Sequence, residues 1–260
     1  PMALNLPETF TYEKRGHVAV MTLNRPQAMN ALTKDMMLGL EAAVEDFNGD
    51  PDLWVAIFTA TGDKAFCTGL DLKVALPALN EGDDMGYADP ATRPFHKVYK
   101  PVISAINGIC VAGGLEFMLG TDIRIAAEHA TFGLTEVRWA VIPAGGSHVR
   151  LPRQIPWAVA MEMLMTGKTI DAKRAYDIGL INKVVPAANL TSEALAMAAK
   201  ICENGPLAVR TAKEIAVRAQ NLEPAFVLEK TMSARVFASE DAREGPRAFA
   251  EKRKPVYKGK

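Results

Sequence analysis

The sequence has little cysteine, little histidine and no excess of charge of either sign. Its three cysteines, Cys67, Cys110 and Cys202, stand far apart in 260 residues with no C-x-x-C pair. That spacing excludes a disulfide framework and a zinc ribbon. The four histidines, His17, His96, His129 and His148, show no H-E-x-x-H or other ligand spacing, so no metal site is expected. Lys and Arg number 30, as do Asp and Glu, whereas a nucleic-acid binder normally carries a basic excess or stripe. The single basic run, Lys252-Arg253-Lys254 with Lys258 and Lys260, reads as a solvated end or as a contact for a small polyanion such as a nucleotide diphosphate. No apolar run reaches membrane-spanning length, and no charged stretch followed by an apolar one opens the sequence. Pro1 ahead of Met2 reads as a remnant preceding the natural start. A soluble protein of a reducing compartment, the cytoplasm, is the expectation, with no membrane and no nucleic-acid partner. There is no G-x-S-x-G elbow, no G-x-G-x-x-G and no G-x-x-x-x-G-K-[ST] loop.

What is present is an alternation of strand-like and helix-like segments. Residues 17–23, 54–60, 102–106 and 123–127 are β-rich and close on turn signals such as Asn24-Arg25-Pro26 and Asn107-Gly108. Residues 31–47 carry Leu32, Met36, Leu40, Val44 and Phe47 at helical spacing. This cadence predicts an α/β core whose loops at strand ends carry function. The polar stretch 80–94 reads as a loop long enough to serve as a flap. After it, residues 158–166, 171–177, 190–203, 206–220 and 223–239 read as helices, with Pro206 at a first helical position. Met161, Met163 and Met165 read as core packing.

Three segments have the residue types for chemistry. Ala65-Phe66-Cys67-Thr68-Gly69-Leu70-Asp71-Leu72 allows a tight turn whose backbone N–H groups can face an oxygen gaining negative charge. Taken alone, it reads more simply as a strand-to-helix turn with Asp71 near a helix start. In residues 107–117, Gly113-Gly114 precedes an apolar helical run, which puts unpaired N–H groups at an electropositive helix start. Those glycines serve equally well for close packing of helix on sheet. Glu116 lies in that first turn, and Glu136 follows a short strand in Ala130-Thr131-Phe132-Gly133-Leu134-Thr135-Glu136-Val137. Both carboxylates sit among apolar neighbours, where an ionised group is costly and a second one nearby costs more. Buried carboxylate pairs are found mostly where proton transfer needs them. For Glu136, a salt bridge to Arg138 or Arg124 is the alternative.

Taken together, Asn24-Arg25-Pro26, Asn30-Ala31-Leu32, the segment 65–72, Pro101 to Phe117, 122–127, 130–137 and Arg150-Leu151-Pro152-Arg153 resemble the enoyl-CoA hydratase/isomerase (crotonase) superfamily over residues 18–185. The resemblance implies a crotonase-like spiral of ββα units as residues 1–190, with a C-terminal helical trimerisation region as 191–260. It also implies a homo-trimer or hexamer acting on an acyl-CoA thioester, with coenzyme A part of the substrate and no separate cofactor. The N–H groups of Leu70 and Gly113 would match the family's oxyanion hole, each donor worth ~3–4 kcal/mol of barrier. Glu116 would activate a water for attack on the β-carbon, and Glu136 would exchange the proton at the α-carbon. Arg25, Ala28, Ala65 and Thr68 match positions that hold coenzyme A, and Trp139 falls near the acyl end. Water addition to a conjugated double bond needs one group to take a proton and another to give one. An isomerase needs a single carboxylate, so two favour enoyl-CoA hydratase. The alternatives are a carnitinyl-CoA dehydratase-like enzyme, which the ending 248–260 resembles, a Δ3-Δ2 isomerase, and a crotonase-fold binding protein without turnover. The sequence departs from the family pattern at Ala112, where a first glycine is usual, at Ala144 to Ser147, and at Arg138-Trp139-Ala140.

Overall fold

The computed structural model describes residue 4 and residues 6–71 and 93–260. The expected loop at 80–94 thus lies outside the described residues except at Arg93 and Pro94. In chain order the first half runs β1 (Phe10–Arg15), β2 (Val18–Leu23), α1 (Lys34–Gly49), β3 (Val55–Ala60), β4 (Ala65–Cys67), β5 (Val102–Ile106), β6 (Ile109–Val111), α2 (Gly113–Leu119), β7 (Ile123–Ala127) and β8 (Thr131–Gly133). The second half adds α3 (Ser147–Gln154), α4 (Trp157–Thr166), β9 (Ile170–Asp171), α5 (Ala172–Asp177), β10 (Lys183–Val185), α6 (Leu190–Cys202), α7 (Pro206–Arg218), α8 (Glu223–Phe237) and α9 (Asp241–Ala250).

Two sheets result. A six-stranded sheet has the order β1-β2-β3-β5-β7-β10, and a four-stranded one the order β4-β6-β8-β9. Pairing is parallel except for the β1/β2 hairpin and the β8/β9 edge. Three consecutive strand pairs, β3/β4, β5/β6 and β7/β8, each give one strand to each sheet, which is the repeating unit of the spiral. Because the central strands β3, β5 and β7 of the larger sheet are covered on both faces, they are mainly apolar rather than alternating, whereas the edge strand β1 ends in the exposed Glu13, Lys14 and Arg15. Val55, Ile57, Ile103, Ala105 and Ile125 face Leu190, Ala194 and Ala198 of α6. Their neighbours Ala56, Phe58, Ala60, Val102 and Ile106 face the main core, with Phe47 of α1 and Leu115, Phe117 and Met118 of α2. Phe58 touches Phe66 edge-on at 5.3 Å and Phe117 at 6.0 Å, so one aromatic joins both sheets to α2.

Several expected boundaries move. The helix expected from residue 31 begins at Lys34, with the Thr33 hydroxyl accepting from the Met36 N–H at 3.4 Å. Leu32 is instead bridged to Leu70, a contact that sequence periodicity does not register. Met163 is buried and Met161 partly so, but Met165 is 70% exposed and is not core. Two helices went unread, α3 and α9, because Pro152 and Gly245-Pro246 stand inside them. The basic end is not a free stripe: Arg253 is paired with Glu244 and Glu251, and the Lys258 and Gly259 N–H groups donate to Asp241.

Candidate active site

The segment after β4 and the start of α2 lie against each other. A Cβ built on Gly69 would fall 2.7 Å from Ala112 Cβ and 3.1 Å from the Gly113 nitrogen, so only glycine allows this approach. Gly69 also takes a φ of +88°, the left-handed region open to glycine. Leu32 uses Gly69 O as acceptor and gives its own carbonyl to the Asp71 N–H, both at 2.8–2.9 Å. That bridge uses the groups flanking Leu70 and turns the Leu70 N–H to the other side. Gly113 is the first residue of α2, and its N–H has no intrahelical acceptor. Neither N–H finds a partner among the described residues, and the two stand on facing turns. Ala112, ahead of them, holds φ +51° and ψ −127°, a conformation an L side chain rarely adopts and which costs about 1–3 kcal/mol.

Glu116 is buried one turn into α2. Its Oε1 accepts from the Gly145 N–H at 2.6 Å and the Ser147 hydroxyl at 3.2 Å. Glu136 opens a 3-10 turn, Glu136–Trp139, after β8. The residue is half-buried as a whole, but its Oε2 is sealed from solvent and has no hydrogen-bond partner among the described residues. The ion pair to Arg138 or Arg124 considered above does not form: Arg124 donates to Leu180, Leu119, Thr121 and Gln154, and Arg138 is exposed. Both glutamates hold their protons well above the usual carboxylate range. Burial is the main cause for each, followed by the negative charge of Glu229 for Glu116 and of Glu116 for Glu136. Their titrations therefore belong to the pair.

The remaining candidates lie along the loop side of β4. Arg25 pairs with Asp71 at 2.8 Å and donates to Ala31 O at 3.2 Å, so it braces the turn around Leu70. Ala28 ends a 3-10 turn, the Thr68 hydroxyl donates to Met29 O, and Ala65 O accepts from Asn30. A cleft of about 220 Å³ opens there, lined by Pro26, Asn30, Thr61, Gly62, Asp63, Lys64 and Ala65. Neither glutamate lines this cleft. Trp139 shares the turn with Glu136, yet its ring packs edge-on against Phe249 of α9 at 4.8 Å. Sequence reasoning missed Asn30, which is fully buried and bonded to the Arg25 N–H, Thr61 O and Ala65 O. It also missed Gly145 and Ser147, and Arg93, Arg150 and Glu229 behind Glu116; the shifted Gly145-Gly146 was the signal available for the first two.

Two turns in close contact, each with an N–H that has no partner among the described residues, and a carboxylate pair on a two-sheet spiral are the arrangement of a crotonase-fold protein. The sequence model of the enoyl-CoA hydratase/isomerase family matches residues 13–260. An enoyl-CoA hydratase of Mycobacterium tuberculosis is 42% identical over 257 residues, 95% of this chain and 96% of that one. The (E)-benzylidenesuccinyl-CoA hydratase of Thauera aromatica is 39% identical, covering 96% of this chain and 98% of its own length. The crystal structure of a carnitinyl-CoA hydratase from Mycobacterium avium superposes with a TM-score of 0.89 at 37% identity, over 98% of this chain and 100% of that one. The chain belongs to the enoyl-CoA hydratase/isomerase family, and it is an enzyme of the hydro-lyase type. No helix among the described residues is long and apolar enough to cross a membrane.

Proposed function

We propose that this enzyme adds water reversibly and syn across the double bond of a 2-enoyl-CoA thioester. The observation that carries this reading is the two buried, proton-retaining carboxylates, Glu116 and Glu136, next to the N–H groups of Leu70 and Gly113. With the thioester oxygen between those two N–H groups, negative charge moving onto it is met by fixed donors. Ionised Glu116 takes a proton from a water whose oxygen bonds to the β-carbon, and protonated Glu136 gives one to the α-carbon. Dehydration runs the same steps backwards, each carboxyl in the opposite role. Burial suits the pair to this work, since carboxyls titrating near neutrality can both give and take protons there. The loop side of β4, with Arg25, Ala28, Thr68 and the cleft that Ala65 lines, suits the coenzyme A moiety, which is part of the substrate, with no further cofactor. A trimer or hexamer assembled through the helices after residue 190, working in the cytoplasm, completes the proposal.

A carnitinyl-CoA dehydratase-like activity is the second reading, favoured by the likeness to the Mycobacterium avium protein. A panel of CoA thioesters, with crotonoyl-, carnitinyl- and 3-enoyl-CoA among them, tests both through the loss or gain of enoyl-thioester absorbance. Glu116→Gln and Glu136→Gln should each remove most turnover. Activity surviving only in Glu116→Gln would mean isomerisation, and no turnover with any thioester would leave a binding protein.

A further inference from the structure

Behind Glu116 lies a third buried carboxylate with no part in the steps above. Glu229 stands in the middle of α8, 6% exposed. Its Oε2 meets Arg93 Nε at 3.4 Å, and its Oε1 accepts from the His148 N–H at 3.1 Å and lies 3.2 Å from His148 Nδ1. His148 is the second residue of α3, whose preceding residue is Gly146 at φ +106° with no side chain to cap it. Glu229 therefore does from α8 what a capping side chain ordinarily does from within the same segment. The same turn is held from its other side by Glu116, through Gly145 and Ser147. Four successive residues, 145–148, thus sit clamped between two buried carboxylates.

Two guanidinium groups complete the arrangement. Arg93 and Arg150 stack on the ring of Phe226, one turn before Glu229, at 5.6 and 5.3 Å. Arg150 Nη1 is buried with no hydrogen-bond partner among the described residues, and its charge faces both Glu116 and Glu229. Among the described residues, the charged and titratable groups around Glu116 are Glu136 from the 3-10 turn, His148 and Arg150 from α3, and Glu229 from α8, with Arg93 beyond it.

We propose that Glu229 is a positioning residue for Glu116: it caps the turn that aims the Glu116 carboxylate and places a second negative charge behind it. The inference deepens the hydratase reading and rests on it for the direction of the kinetic effect. Electrostatics agree in sign, since the charge of Glu229 raises the proton affinity of Glu116. The C-terminal helical layer then takes part in the chemistry through α8.

Glu229→Gln keeps an oxygen for the His148 N–H and removes the charge. The titration of Glu116 should move down by about one pH unit, and the acid limb of kcat/KM for crotonoyl-CoA hydration should move with it. Infrared difference spectra against Glu116→Gln, recorded in each background, follow the Glu116 carboxyl without any turnover. Failure to hydrate any thioester would sink the hydratase reading while leaving that titration to decide this one. A Glu116 titration unmoved in folded Glu229→Gln overturns the proposal, because a merely structural role would lower the melting temperature and nothing else. Should Glu229→Gln not fold, Glu229→Asp carries the test: the charge stays but withdraws from the turn, so kcat should fall roughly tenfold or more at little change in KM. An unchanged kcat in that variant refutes the positioning role.

Discussion

Gly145 donates its N–H to Glu116 and leaves no room for anything else there. A Cβ at this position would lie 2.8 Å from both Cδ and Oε2 of Glu116 and 3.0 Å from Oε1, well inside van der Waals contact. Its φ lies outside the left-handed region, so the backbone itself accepts alanine. Only the carboxylate must move. Glu116 is buried on a packed helix and has Gly145 and Ser147 as its donors, so swinging away loses a bond to a charged acceptor, about 1.5–3 kcal/mol. If that bond aims the carboxylate at the water, the same amount appears in the barrier, a fall in kcat of roughly ten- to hundredfold. Gly145→Ala assayed by loss of crotonoyl-thioester absorbance should show this drop with KM little changed and a near-normal melting curve. The neighbouring Gly146→Ala is the contrast. Its φ of +106° and contacts at 3.1–3.2 Å with Arg93 and Phe226 should lower the melting temperature instead. A Gly145→Ala enzyme within twofold of the parent kcat would refute the claim that this turn aims Glu116.

Three further outcomes follow from the same geometry. Burial raises the titrations of the glutamate pair from 4.5 to about 7 and about 8, so the folded protein binds more protons than the unfolded chain across that window. Their burial is harmless below about pH 4.5 and fully destabilising above about pH 8. The melting temperature of the parent should therefore fall between pH 5 and pH 9 more steeply than that of the Glu116→Gln/Glu136→Gln double variant, and parallel curves would refute this. Ala112→Gly should raise stability by about 1 kcal/mol in a urea titration, the relief of a left-handed alanine outweighing the added chain entropy; a loss of stability would contradict it. Gly114→Ala, two residues on, should do the reverse by about 2 kcal/mol or more. Its Cβ would meet Cys67 O at 2.4 Å, and an unchanged urea midpoint would mean that α2 can lift off β4.

Legibility in the sequence tracked how local the cause was. Four strands of the larger sheet, β2, β3, β5 and β7, were readable as apolar runs between turn signals, whereas β1, which ends in Glu13, Lys14 and Arg15, and the short β10 went unread. Glu116 and Glu136 were readable because a carboxylate among apolar neighbours is conspicuous in any window. The α9 helix was not: Gly245 and Pro246 look like a break. The reason for the glycine lies far away in sequence, since a Cβ there would strike Trp139 O at 1.7 Å. The contacts of Trp139 are equally distant in sequence: its ring packs on Phe249, and the adjacent Arg138 carbonyl accepts from the Tyr257 hydroxyl. Asn30 and Glu229 were missed for the same cause. Apart from the Arg25 N–H near Asn30, each is a polar residue whose partners are 31 to 136 positions away, and no local pattern encodes such a pairing.

The distribution of awkward features over the spiral supports the assignment of the site independently of any relative. Strands β4, β6 and β8 run parallel, with Ala65 opposite Ile109 and Ile109 opposite Thr131. Their carboxyl ends therefore open on one edge of the smaller sheet, where parallel α/β sheets place their ligands. Each repeat contributes there: the first the Leu70 N–H, the second both the Gly113 N–H and Glu116, the third Glu136. The strained Ala112, the close Gly69–Gly113 approach, the unpartnered Glu136 oxygen and the proton-retaining Glu116 all fall on that edge. Each costs stability, and a fold selected for stability alone would have no reason to gather them. A site that must meet an oxygen gaining charge with fixed donors, and move two protons beside it, needs all four within reach of one another.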